Sequence, residues 1–211
     1  MKRINSVNVE VTNMTVEQER KVIDAAEMML EFFKSNFFYD KIHETDFSKL
    51  RGASINCISR KFHFHTSVIY NLFMTGQEEW NGVLDYEIDL KITRYSRFWS
   101  KVKGYIIPMK PEIFVNSRYF DSGTPFSIGS NAAHEWSHTL GFRHSGDYLR
   151  ESLPYLINDW WEEFWWEDFW KYRTSLPIEP TDYKKVCKRI WWTFWIKKVC
   201  KRVVKENIYE I

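Results

Sequence analysis

The sequence predicts an α+β fold. A small mixed sheet with two main helices is expected over residues 1–157, and a mostly helical, aromatic-rich extension over 158–211. Three observations predict it. Apolar residues recur at helical spacing in 15–34, they alternate with period two in 83–95, and three histidines in 134–144 stand at a spacing that suits a helix followed by a turn. The 211 residues give one domain plus an appendage, with ample chain for a packed core. Hydrophobic content of 44% and charge of 27% are those of a globular protein, whereas aromatics at 18% are high.

Thr15 with Gln18 makes a capping box that starts the first helix, and Val22, Ala26, Met29, Leu30 and Phe33 share a face that reads as core. Residues 40–66 carry weaker patterns. Lys61-Phe62-His63-Phe64-His65 alternates like a strand, and its two histidines read as surface residues in preference to a second metal site. Residues 66–76 are apolar enough for a helix or a buried strand. Leu84, Tyr86, Ile88, Leu90 and Ile92 alternate, which predicts a half-exposed strand over 83–95. Residues 103–107 and 112–120 are further strand candidates, separated by Pro108 and Pro111. Asp121-Ser122-Gly123-Thr124-Pro125 breaks the strand, and a helix starting near 127–131 is expected to carry the histidines.

The stretch His134-Glu135-Trp136-Ser137-His138-Thr139-Leu140-Gly141-Phe142-Arg143-His144 matches HExxHxxGxxH at all five fixed positions. His134 and His138, four residues apart, project from one side of a helix and can reach one metal ion. Glu135 lies one step round, near the metal but suited to handling a proton. Gly141 can adopt a left-handed backbone conformation, so the chain can turn there and return His144 as a third ligand. Three nitrogens leave a fourth tetrahedral position for water, the arrangement of a catalytic zinc site. With few-per-cent usage of each residue, chance matches to the full pattern occur in on the order of one chain in ten thousand or fewer.

Over residues 134–144 the chain resembles the metzincin clan of zinc metallopeptidases, and the pattern of elements extends the likeness over about residues 15–157. The resemblance implies one catalytic Zn2+ held by His134, His138 and His144, with Glu135 as general base. It also implies a peptide or protein substrate, and a strand before the zinc helix that lines the cleft and could receive an extended peptide at its edge. The chain departs from the clan in one respect: metzincins carry a methionine turn beneath the metal, and no methionine follows Met109. Ser152-Leu153-Pro154-Tyr155 is the best positional substitute, with Leu153 or Pro154 filling the methionine's place. Tyr155 is a candidate auxiliary zinc contact, since several metzincins place a tyrosine near this turn; a tyrosine packed on a loop is the plainer reading. The function expected is therefore zinc-dependent hydrolysis of peptide bonds by a metalloendopeptidase. The alternative is a non-catalytic zinc-containing binding or scaffold protein that acts through its C-terminal tail.

That tail is unusual. Eight of the eleven tryptophans fall between Trp160 and Trp195, and residues 159–170 hold five carboxylates among seven aromatics. Residues 184–205 hold nine Lys/Arg and no acid, leaving 21 basic against 28 acidic residues elsewhere, a formal −7. Lys184-Lys185-Val186-Cys187-Lys188-Arg189-Ile190 recurs thirteen residues later as Lys197-Lys198-Val199-Cys200-Lys201-Arg202-Val203. Three readings compete: a helical hairpin packed on the main domain, a membrane-surface segment over 182–205, and a nucleic-acid contact, which ranks below the other two. Liposome co-sedimentation with and without residues 175–211 separates them, since equal binding dismisses the membrane.

Cys57, Cys187 and Cys200 are too few and scattered for a disulfide framework, lack CxxC spacing, and read as free thiols in a reducing compartment. The N-terminus MKRINSVNVEVTN has no apolar signal-peptide region, and no run approaches 18 apolar residues. The expectation is a chain cytoplasmic as synthesised, released if at all by lysis or a non-standard route. Oligomeric state is not legible.

Overall fold

The computed structural model describes residues 3–47, 65–144, 152–172, 183–192 and 195–204. Among these, strand β1 (Ser6–Thr12) leads to helices α1 (Val16–Lys34), α2 (Asn36–Glu44) and α3 (Thr66–Thr75). Strands β2 (Glu87–Tyr95), β3 (Gly104–Ile106) and β4 (Glu112–Asn116) follow, then the short α4 (Ser117–Phe120) and the histidine-bearing α5 (Pro125–Thr139). Helix α6 (Leu153–Tyr172) and strands β5 (Tyr183–Trp192) and β6 (Trp195–Val204) complete the order. The fold is mixed α+β, as the sequence patterns predict.

The sheet runs β3-β4-β2-β1-β6-β5. Strands β1, β2 and β4 are parallel, while β3 runs antiparallel to β4 and β6 antiparallel to β1. Register puts Val7 beside Ile88, Val9 beside Leu90 and Ile92 beside Ile113, so one face of the sheet is apolar and buried. On the other face Lys91 lies between Glu10 at 3.7 Å and Glu112 at 3.8 Å. A sheet with one buried and one polar face takes its helices on a single side.

Helix α1 begins where the capping box places it: Gln18 N–H donates to Thr15 Oγ1 and Thr15 N–H to Gln18 Oε1 at 2.9 Å. Its buried face includes Val22, Ala26, Met29 and Phe33. Much of the aromatic content becomes core. Phe33 lies 5.4 Å from Phe73 and 5.0 Å from Trp136, and Phe73 stacks on Phe142 at 5.4 Å. From the extension, Trp161 reaches into the same cluster, 5.5 Å from Phe32. Position 157 therefore falls inside α6, with buried residues on both sides of it.

Several expectations need correction. Strand β2 starts at Glu87, not at 83, because Tyr86 has a positive φ of 63° and Leu84 lies exposed in the loop before it. Residues 117–120 are helical, since the Asn116 side chain accepts the Arg118 N–H and caps a turn there. Residues 66–76 resolve as helix α3, ended by Gly76 in the left-handed conformation. Helix α5 starts earlier than expected, at Pro125, after the Thr124 cap. The acidic aromatic segment is helical, but the basic repeat is not the second arm of a helical hairpin. Its apolar residues scatter round a helix, whereas its Val, Ile and Trp content suits strands. The two copies pair antiparallel, with Cys187 opposite Cys200. Of the strand expected at 61–65, residues 61–64 with His63 lie outside the described residues, as does Cys57, and His65 is exposed at the start of α3. No helix of the described residues is long and apolar enough to cross a membrane.

Helices α5 and α6 cross closely at Gly129. A methyl group there would stand 2.6 Å from the Trp161 ring, which is itself buried. Gly129→Ala is expected to lower unfolding free energy by about 1–3 kcal/mol through overpacking, read from urea denaturation midpoints. An unchanged midpoint would mean that Trp161 does not pack at this crossing.

Candidate metal centre

Helix α5 presents His134 and His138 on one side, and its end is built to return a third histidine. Gly141 has a φ of 100°, in the region that favours glycine. Gly141 N–H donates to the His138 carbonyl at 3.0 Å and Phe142 N–H to the Ser137 carbonyl at 3.2 Å. This pair of bonds is a Schellman ending, and Phe142 is buried as its apolar contact. The chain then carries His144 back over the helix. Arg143 ties the return down, with a bond of 2.6 Å to the His138 carbonyl and an ion pair of 2.5 Å to Glu79.

The three imidazoles converge through the same ring atom. His144 Nε2 lies 3.2 Å from His134 Nε2 and 3.1 Å from His138 Nε2. Each opposite nitrogen is engaged: His138 Nδ1 faces the Phe142 carbonyl at 2.6 Å, His134 Nδ1 the Asn158 side-chain oxygen at 3.2 Å, and His144 Nδ1 the Ser152 hydroxyl at 2.8 Å. A carbonyl only accepts, so Nδ1 of a neutral His138 carries the proton and Nε2 presents its lone pair. The same tautomer suits His134 and His144. Burial keeps the rings neutral: it pulls His134 down to about 4, helped by His144, and His138 down to about 3. His144 is lowered by burial as well.

Three lone pairs aimed at one point repel each other, and a cation between them removes the repulsion. Two nitrogens bound tetrahedrally at about 2.0–2.1 Å stand about 3.3–3.4 Å apart, close to the separations here. The donor set thus fits a metal ion, and polar partners behind each ring fix its orientation.

Glu135 is buried beside this cluster, and burial pushes its carboxyl up to about 8. The Gly104 main chain of β3 passes over it: a methyl at Gly104 would lie 3.1 Å from Glu135 Oε1 and 2.6 Å from Asn131 Nδ2. Tyr155 stands at the start of α6 with its ring 4.9 Å from that of His134 and 4.7 Å from that of His144. The Ser152–Tyr155 segment therefore lies against the histidines, with Leu153 buried in the core. These groups line a cleft of about 740 Å³, and residues 101–106, including β3, form its other wall. Gly104→Ala is expected to displace Asn131 and Glu135 and to lower unfolding free energy by about 1–3 kcal/mol through overpacking, read from urea denaturation midpoints; an unchanged midpoint would show that β3 yields freely.

All five residues singled out in the sequence, His134, Glu135, His138, His144 and Tyr155, line this one cleft. Sequence reasoning missed Asn158, Asn131, Gly104 and the role of Ser152. Asn158 faces His134 only because α6 packs on α5, and no motif spacing encodes that. No family model matches the chain, and no curated protein matches it. What characterises it is the site: three oriented histidines, His134 and His138 buried and His144 half-buried, forming a candidate metal centre with a buried glutamate alongside in an open cleft.

Proposed function

We infer that the chain is a zinc-dependent metalloendopeptidase. The observation that carries this reading is the placement of Glu135 beside three converging Nε2 atoms in a cleft walled by β3. An all-imidazole set suits zinc, and three protein ligands leave a position for water or substrate. Zinc bound there would make water a nucleophile near neutral pH and polarise a substrate carbonyl. Glu135 is placed to accept a proton from water in the cleft and later to hand it to the leaving amine. Tyr155 is placed to contact the reacting carbonyl or the metal from the α6 side.

The sheet supports a peptide substrate. Strand β3 is the outermost strand at its side of the sheet among the described residues and lines the cleft, so an extended chain can add to it by main-chain hydrogen bonds. Assignment to the metzincins belongs to this same reading. It draws on the spacing of the five motif residues, the edge strand that lines the cleft, and the Ser152–Tyr155 segment at the methionine turn's position.

Zinc stoichiometry on purified protein, with casein hydrolysis measured with and without chelator, tests the proposal. One zinc per chain and chelator-sensitive cleavage are expected. Zinc without cleavage would favour a non-catalytic binding or scaffold role, and no zinc would remove both readings.

A further inference from the structure

A second group of ligating side chains lies outside the cleft. Glu78, Asp85 and Asp89 bring carboxylate oxygens within 4.8 Å of one another. Gly76, at a φ of 61°, turns the chain out of α3, and a methyl there would meet Asp85 Oδ1 at 3.0 Å. The loop that follows returns along β2. Strand β4 pairs with β2 only from Lys91 onward, so earlier residues of β2 lack that neighbour. Glu78 occupies the vacant side, where its Oε1 accepts the Asp89 N–H at 3.4 Å and the Trp136 Nε1–H at 2.9 Å.

The other oxygen of Glu78 is the unusual one. The residue is completely buried, yet Oε2 has no hydrogen-bond partner. A buried carboxylate oxygen with nothing to accept from has lost its water without a replacement, and two neighbouring carboxylates add like-charge repulsion. Burial first, and Asp89 and Asp85 next among the unfavourable influences, push the Glu78 carboxyl up to about 8. Asp85 and Asp89 are only half-buried, so an ion can enter from their side.

We propose that Glu78, Asp85 and Asp89 form a second cation site, selective for a hard divalent ion of the calcium class. The ligands are all carboxylate oxygens, which exclude soft metals and differ in kind from the imidazole set of the first centre. Calcium suits a set of three protein carboxylates, whereas magnesium keeps several of its waters and binds through one or two carboxylates. The bound ion supplies Oε2 with its partner and joins the 76–86 loop to β2. Through Trp136 it also braces α5, by a residue that does not line the cleft.

Terbium luminescence tests this site directly, because the Trp136 indole nitrogen lies 2.9 Å from Glu78 and can sensitise a lanthanide held there. Titration of the full chain with Tb3+ is expected to give saturable, tryptophan-sensitised emission that Ca2+ displaces. Millimolar Ca2+ alone is expected to raise Tm by several degrees. The double variant Asp85→Asn, Asp89→Asn is expected to weaken Tb3+ at least tenfold. It remains foldable because asparagine oxygens can still accept the bonds that Asp85 Oδ1 takes from Glu87 N–H and Asp89 Oδ1 takes from the Asn8 amide. Asp85→Asn alone is the milder check, with an expected loss of about threefold or more. Emission that survives unchanged in the double variant overturns the proposal. So does emission lost instead on Asp159→Asn, Glu162→Gln in the acidic aromatic helix.

Discussion

Glu135→Gln is expected to keep its zinc and lose peptide hydrolysis by about three orders of magnitude, within the range for removing a general base. The amide is nearly isosteric with the acid and is not among the three converging nitrogens, so the metal site is untouched by the change. What it lacks is a basic oxygen to take a proton. The carboxyl sits in a setting that already matters for its chemistry, since burial pushes it up to about 8. A cation in the adjacent site would draw it back towards the ionised form a base requires. Metal analysis together with kcat/KM on a quenched fluorescent peptide reads both halves of the prediction. Wild-type turnover in the glutamine variant would exclude Glu135 as base. Loss of zinc would mean that the glutamate holds the metal instead.

The motif was legible because its logic is local. Four-residue spacing and a glycine that can turn left-handed bring His134, His138 and His144 together without reference to the rest of the chain. The capping box at Thr15 and the buried faces of α1 and β2 are local in the same sense. What escaped the sequence depends on packing between distant segments. Asn158 reaches His134 through the α5–α6 crossing, and Gly104 lies over Glu135 through the pairing of β3 with β4. Glu78 looks like one more loop acid until the free side of β2 and the Trp136 indole are placed around it. The basic repeat misled for a different reason. Read at helical spacing its apolar residues point apart, yet the antiparallel pairing of its two copies supplies each strand with a partner thirteen residues away. Pairing between copies of a repeat has no signature in the helical periodicity of either copy.

Zinc removal is expected to lower Tm by about 8–16 °C. A ligand present at a thousand times its dissociation constant stabilises the folded state by about 4 kcal/mol, and a chain of this size shifts by about 2–4 °C per kcal/mol. The structural reason is that α5 and the return through Gly141 are assembled so that three neutral imidazoles face one another. A cation bound between them would remove the repulsion that the metal-free fold must tolerate. His138→Ala is expected to abolish the zinc-dependent part of the shift, because its ring is buried and its Nδ1 is anchored on the Phe142 carbonyl. His144→Ala is expected to weaken zinc retention as well. Asn158→Ala is the sharper test, since it leaves all three ligands in place and removes only the oxygen that orients His134. Losing such a partner typically costs 10–100-fold in metal affinity, which is about 1.4–2.7 kcal/mol, so the zinc-dependent shift should shrink by about 3–11 °C. Thermal melts of each variant with zinc and with chelator measure this directly. A shift that survives intact in His138→Ala would place the metal elsewhere. One unchanged in Asn158→Ala would reduce that residue to packing and leave the His134 ring positioned by α5 alone.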